Sequence, residues 1–380
     1  MKRDLVTPRA NWREDCEAVG FTYHSIDGVY WDESRCYRFT ASEIDTLEAA
    51  TAELHARCLD AAAHIVDHRR YAELAIPAAW RDKVATSWTA RDFTLMGRFD
   101  FAYDGSGAPK LLEYNADTPT ALLEASVAQW RWLEQAIRPQ NPAADQFNSL
   151  HEKLIANFRA FALTMSAGRP VHFTCAGDSE EDRGNLDYLR DVATQGGVDA
   201  RFIAIEDIGW DSANGVFVDV DDGEIGALVK LYPWEWLAQE AFGPQLLVAK
   251  MRVVEPPWKM LLSNKGLLAV LWELFPDHPN LLPAYLEPGK IRGDFVEKPL
   301  LSREGENVRI HADGRTIEAA GGYGDGPRVY QAYAPIPRFG DDYATIGAWV
   351  IGDAPAGIGV REDASPITRN TSRFVPHYFD

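Results

Sequence analysis

Apolar residues recur at spacings of three and four from Ala41 to about Val66, the pattern of one long amphipathic helix, with Ser42-x-x-Asp45 as its expected cap. Two strands are predicted next, Phe93–Tyr103 and Pro109–Tyr114, around the turn Asp104-Gly105-Ser106-Gly107. A helix follows from about Pro119 to Gln135, with Pro119 suited to a first turn, and another spans roughly 148–163. The middle of the chain alternates. Val171–Cys175 and Arg201–Ile205 read as strands around a helix at Glu181–Thr194 that ends near Gly196-Gly197. Strands at Phe217–Val220 and Ile225–Lys230 precede a short helix at Trp234–Glu240. Such alternation predicts a parallel α/β lobe.

Beyond residue 250 the texture changes. Gly266–Phe275 reads as a helix, and then short β-like segments are broken by Gly and Pro: Phe295–Lys298, Val308–His311, Arg328–Ala332, Thr345–Ile351 and Gly357–Val360. That is an antiparallel, α+β texture. Residues 1–40 are rich in aromatics without a period and are expected to be irregular. The expected organisation is therefore α/β plus α+β in three parts: 1–165 with the hairpin, 166–250 as the parallel lobe, and 251–380 as the antiparallel lobe.

Composition narrows the function without naming it. A chain of 380 residues, 46% hydrophobic and 25% charged, can bury a large core and calls for two or three lobes. The formal charge of −19 and the lack of a basic run argue against nucleic acid as a partner. The four cysteines are widely spaced, with no CxxC or Cys/His cluster for zinc, so reduced thiols are expected. No apolar stretch has the length of a membrane span, and the N-terminus lacks a signal-peptide pattern. A cytoplasmic enzyme of small molecules is the expectation.

The chemistry concentrates in a few segments. In Gly97-Arg98-Phe99-Asp100-Phe101 and Leu111-Leu112-Glu113-Tyr114-Asn115, period two puts Glu113 and Asn115 on one face, Leu112 and Tyr114 on the other. Asp100 of the neighbouring strand can point to the same side. Two carboxylates and an amide oxygen make a hard donor set suited to Mg²⁺ shared with phosphates. The same carboxylates could equally pair with arginines such as Arg98. Thr118 and Thr120 precede the next helix as caps or as contacts to an anion. Lys298 stands at the end of a β segment, before a loop containing Arg303 and Gly305 that could cover phosphates. Arg361, after the glycine-rich Gly357-Ile358-Gly359, could brace a phosphoryl group or pair with Glu362 or Asp363. No GxxxxGK[ST] or GxGxxG sequence occurs.

Taken in order, GRFDF, LLEYNADTPT, EPPWKMLLSNKGLLAVLWELFP, FVEKPL, VYQ and PAGIGVRED resemble the synthetase domain of the glutathionylspermidine synthase family. That resemblance spans nearly the whole chain from Trp12 onward. It implies an ATP-grasp fold with an associated pre-ATP-grasp α/β lobe, laid out like eukaryotic-type glutathione synthetase. It implies ATP and Mg²⁺, with Asp100, Glu113 and Asn115 as metal ligands. Lys265 and Lys298 would hold phosphates, Ser302 to Gly305 would form the lid, and Gln331 and Tyr333 would border the adenine. Arg98 and Arg361 would attend the transferred phosphoryl group. Thr118 and Thr120 would meet a peptide substrate, and Glu180 and Glu181 a polyamine. Nothing here corresponds to the amidase domain of the bifunctional members, and the threonines split by Pro119 depart from the family's pattern. The implied activity is a ligase joining a carboxylate to an amine through an acyl phosphate. An ATP-grasp kinase and a silent nucleotide-binding scaffold are the alternatives.

Overall fold

The computed structural model describes every residue except 27, 167 and 325. The long helix runs over Ala41–Asp67 and buries one stripe: Ile44, Leu47, Thr51, Leu54, Cys58, Ala61 and Ile65. Those positions are three or four apart, so they share one face. Its cap is two residues earlier than expected. Thr40 accepts from the Glu43 amide, and the Glu43 carboxylate accepts from the Thr40 amide at 2.7 Å, a reciprocal capping box.

That stripe packs on an antiparallel sheet assembled from distant segments. Its order is Arg373–Val375, Ala354–Asp363, Asp342–Ile351, Met96–Ala102 and Lys110–Asn115. The sequence-predicted hairpin thus pairs with a strand more than two hundred residues later. Segments 1–165 and 251–380, expected as separate parts, share this sheet. Gly347 lies opposite Asp100, and a side chain there would bring Cβ within 2.9 Å of Cδ of Arg98. The bare backbone at Gly347 is what lets Arg98 lie across the sheet.

A second antiparallel sheet orders Ala284–Tyr285, Arg328–Ala332, Phe295–Pro299, Arg309–Ala312 and Arg315–Glu318. A wholly parallel sheet orders Arg252–Val254, Ala227–Leu231, Val171–Cys175 and Ala200–Phe202; the last three come from the middle segment whose alternation predicts them. The strand expected at Phe217–Val220 forms instead as Val216–Val218 and pairs antiparallel with Gly209–Asp211, outside that sheet. Helix Glu180–Gln195 packs on the parallel sheet, capped by Ser179.

Two further expectations fail. Residues 1–40 are not wholly irregular: Lys2–Leu5 and Arg35–Phe39 join His377–Phe379 in a small sheet. The helix expected from Pro119 begins instead at Leu122, because Ala121 adopts a left-handed φ of 65°. The side chain of Asn185 accepts from the Leu122 amide at 2.8 Å, so this helix is capped from another lobe. It continues to Ile137 with two stretches of widened i→i+5 turns. The four cysteines are buried and unpaired. Among the described residues, no helix is long and apolar enough to cross a membrane.

Candidate active site

The hairpin divides its residues by face. Phe99 stacks on Tyr114 at 3.8 Å between ring centroids, on the core side. On the opposite side Asp100 lies directly across from Glu113, and Arg98 across from Asn115. A bulge then leaves Leu112 without a cross-strand partner. It re-aims the backbone. Leu112, expected on the far face, therefore shares a cavity wall with Glu113. Its carbonyl accepts from Lys298 Nζ at 2.7 Å, and the Leu111 carbonyl accepts from Gln331 Nε2 at 2.9 Å. Lys298 also donates to Gln331 Oε1 at 2.9 Å. The irregularity in one sheet thus becomes the docking point for the other.

A polar cluster fills the junction. Lys265 Nζ lies 3.2 Å from Glu113 Oε2 and donates to the Ser302 carbonyl at 2.5 Å. Asn115 donates to Glu113 Oε1 at 3.1 Å. Arg98 donates to Asp100 at 2.8 Å and to the Thr120 carbonyl at 2.8 Å. Burial raises the Asp100 carboxyl; Arg98 opposes this, while the charge of Glu113 adds to it. Burial also raises Glu113, but the ammonium groups of Lys265 and Lys298 and the Asn115 amide outweigh it and hold that carboxyl down. Burial lowers Lys298 to about 8 despite Glu113.

Asp100 and Glu113 border two adjoining cavities, together with Gly305 and Thr368. The first is an open cleft of about 630 Å³ between the two antiparallel sheets. Lys298, Gln331 and Tyr333 stand along it with Val296, Ile310 and Ile336, so one wall is apolar and one end cationic. The second, of about 900 Å³, opens towards the parallel lobe. Arg98, Asn115, Thr118, Thr120 and Arg361 line it. Arg361 is braced by the carbonyls of Ser372, Arg369 and Asn370 at 3.0, 3.1 and 3.0 Å. It does not pair with Glu362 or Asp363, the alternative left open by its sequence. Glu362 is instead buried among Arg3, Arg35 and Arg373.

Other sequence candidates are placed differently. The Ser302 hydroxyl is buried and faces the Pro299 carbonyl at 3.4 Å, so it is the backbone of Ser302 that meets Lys265. Thr120 offers its carbonyl to Arg98. Glu180 accepts from Thr22 at 2.9 Å on the outside and is not part of the cavity wall. Glu181 is buried with its Oε1 lacking a hydrogen-bond partner. The carboxylate that does line the cavity is Asp182, which sequence reasoning passed over. Arg303 was also underrated. From the loop it reaches Glu235 at 2.9 Å and the Thr118 hydroxyl at 2.6 Å, tying the loop to both neighbours.

Buried Asp100 and half-buried Glu113 face one another, with Asn115 beside them, and a divalent cation would relieve their mutual repulsion. Among the described residues no cluster of three or more His, Cys, Asp or Glu suits a metal. Two carboxylates and an amide leave coordination positions for phosphate oxygens and water, which fits Mg²⁺ shared with a nucleotide.

The chain matches the family model described as glutathionylspermidine synthase preATP-grasp over residues 3–380. It is 45% identical over 376 residues to a Haemophilus influenzae protein provisionally named an acid–amine ligase, covering 95% of each chain. It is 29% identical over 352 residues to trypanothione synthetase of Crithidia fasciculata, covering 85% of this chain and 53% of that one. It is 26% identical over 400 residues to the bifunctional glutathionylspermidine synthetase/amidase of Escherichia coli, covering 96% of this chain and 63% of that one. The chain therefore spans under two thirds of the latter two. Among solved structures, a glutathione synthetase-like effector of Globodera pallida aligns with a TM-score of 0.60 at 10% identity, covering 97% and 96% of the two chains. That likeness concerns the fold, which is of the ATP-grasp ligase type.

Proposed function

The chain belongs to the glutathionylspermidine synthase family, and from that premise we propose that it condenses a peptide-like carboxylate with an amine through an acyl phosphate. It is an ATP-dependent ligase that forms an amide, and neither the kinase nor the scaffold alternative is favoured by its relatives. One observation carries the reading. Asp100, Glu113, Asn115, Lys265 and Lys298 converge where an apolar-walled cavity meets an arginine-lined one. That is a phosphate-handling junction between a nucleotide slot and an acyl-acceptor chamber.

In this reading Gln331 and Tyr333 border the adenine, and Lys265 and Lys298 hold the phosphates as point charges. Asp100, Glu113 and Asn115 would hold Mg²⁺, which when bound would neutralise phosphate charge. A substrate carboxylate, positioned near Thr118 and Thr120, attacks the terminal phosphorus, and the bond to the bridging oxygen breaks. Arg98 and Arg361 stabilise the charge spread over the moving phosphoryl oxygens. The amine nitrogen then attacks the acyl carbon, inorganic phosphate leaves, and the nitrogen loses a proton. A bare carboxylate lacks a leaving group; phosphorylation supplies one, so no enzyme nucleophile is required. The loop 299–307 excludes water while the acyl phosphate exists, held down by Arg303 on Glu235 and Thr118.

A glutathione-like peptide and a polyamine are the default substrate pair of this family. Asp182 and Glu304 give the chamber wall carboxylates that suit the amine.

The test is Mg²⁺-dependent phosphate release from ATP with peptides and amines added singly and in pairs. Release requiring both a carboxylate and an amine is expected. Glu113→Ala should lose turnover by at least about a hundredfold while its circular dichroism spectrum stays native. Wild-type activity in that variant would remove Glu113 from the metal set.

A further inference from the structure

At the edge strand of the parallel sheet, Arg252–Val254, an open cleft of about 850 Å³ lies against helix Arg81–Ala90 and the end of helix Leu150–Ala162. It shares no wall residue with either cavity of the candidate active site. Part of its wall is apolar. The rings of Phe93 and Phe161 meet there with centroids 4.6 Å apart, beside Leu246 and Pro257.

The charge on the same wall runs against that of the chain. The sequence carries a net −19, yet three cations, Lys83, Lys250 and Arg252, stand here against one carboxylate, Asp92. None of the four is in an ion pair among the described residues. The Lys83 ammonium reaches the Ala249 carbonyl at 3.4 Å, and Asp92 accepts from the Ser87 hydroxyl at 2.7 Å. Burial lowers the Lys83 ammonium, and the charge of Asp92 opposes this. Lys250 is exposed. Arg252 lies over the Phe161 ring at 4.7 Å, and its Nη1 donates to the Thr164 carbonyl and hydroxyl at 3.3 and 2.9 Å. Those partners are neutral. Asp92 offsets one of the three charges, so an excess of positive charge stands beside aromatic and aliphatic surface. That pairing selects one kind of molecule. An anionic group meets the cations, Arg252 through its planar fork, and an attached apolar body covers the rings.

We propose that this cleft binds a small organic anion, a carboxylate or phosphate group on an apolar body, at a position remote from the reaction. Two supports of the active site border it. Trp234, on its wall, donates its amide to Asp117 at 2.8 Å, next to Thr118. Val254, also on the wall, precedes Glu255. The Glu255 carboxylate accepts from the Leu95 and Met96 amides at 3.0 and 2.8 Å, at the head of the strand that carries Arg98 and Asp100. An occupant therefore bears on the frame of the chamber without entering it, which is the place of an effector and not of a substrate. This holds whichever carboxylate and amine the chain joins.

The experiment is calorimetric titration of the full chain with 4-phenylbutanoate, 4-phenylbutyl phosphate, 4-phenylbutylamine and acetate, with and without a non-hydrolysable ATP analogue and Mg²⁺. The better of the two aryl anions should bind with a Kd of about 1 mM or tighter, and which one it is names the head group. Acetate, which lacks the apolar body, should bind at least about tenfold more weakly. The amine, with the same body and the opposite charge, should also fall at least about tenfold short. The nucleotide should change the affinity by less than about twofold. Lys250→Glu, at an exposed position that asks little of the fold, should weaken the aryl anions at least about fivefold. Under saturating anion, the Leu95 and Met96 amides should exchange with deuterium at least about threefold more slowly. Equal binding of the amine, competition with the nucleotide, or anion binding untouched by Lys250→Glu overturns the site. Unchanged exchange at Leu95 and Met96 overturns the effector role.

Discussion

Glu124 is fully buried, accepting from the Tyr30 hydroxyl at 2.6 Å and from that of Tyr23 at 3.3 Å. Burial raises its carboxyl to about 7; the charge of Glu181 adds to this, and the bond from Tyr30 opposes it. An ordinary glutamate ionises near 4.5. Between those values the folded chain keeps a proton that the unfolded chain has lost. This group's contribution is therefore greatest below about 4.5, declines as pH rises to about 7, and stays lost above. Glu124→Gln keeps the shape and cannot ionise. It should melt close to the wild type near pH 5 and be the more stable by on the order of 1–3 kcal/mol at pH 8. A difference in Tm that does not grow between the two pH values would refute this. At this scale some of the site is legible in the chain: period two alone aligns Glu113 with Asn115. What burial does to Glu124, and which of Glu180, Glu181 and Asp182 faces the chamber, is not legible, because one turn of helix carries all three.

Short elements are where local rules and tertiary demands diverge. Most of the alternating middle segment folds as its pattern predicts, since short hydrophobic runs between helices have few other ways to be buried. The helix expected at Pro119 moved to Leu122 because its cap comes from Asn185 in another lobe. The loop after Lys298 is set by Gly305, whose φ is 70° and whose Cβ, if present, would approach the Thr368 carbonyl within 2.5 Å. Both the left-handed backbone and the close approach exclude a larger side chain. Gly305→Val should leave Tm within a few degrees yet lower kcat/KM for ATP by at least about tenfold, since the loop could not seat over the phosphates. Steady-state kinetics beside a melting curve separate the two, and unchanged kinetics would show that the loop need not close as seen here.

Across the whole molecule, the segment after the hairpin is clamped to the parallel lobe by a buried pair. Lys230 Nζ donates to Asp117 Oδ1 at 2.5 Å, and the Trp234 amide donates to Oδ2 at 2.8 Å. Removing one partner strands the other, so Asp117→Ala should cost about 3–5 kcal/mol. The double variant Asp117→Leu with Lys230→Met should recover much of that. Chemical denaturation of the three proteins decides it; a double variant as unstable as the single one would mean that Asp117 acts through the Trp234 amide and not through the pair. The sequence by itself determined the parallel lobe, the long helix, the hairpin and the order of site residues along the chain, because periodicity and turn chemistry are local. Only the tertiary structure decided that the hairpin joins strands from the far end, that a bulge aims Leu111 and Leu112 at Gln331 and Lys298, and that Asp182 rather than Glu180 lines the cavity. Those outcomes depend on contacts between segments remote in sequence, where burial and shape choose among local arrangements of nearly equal free energy.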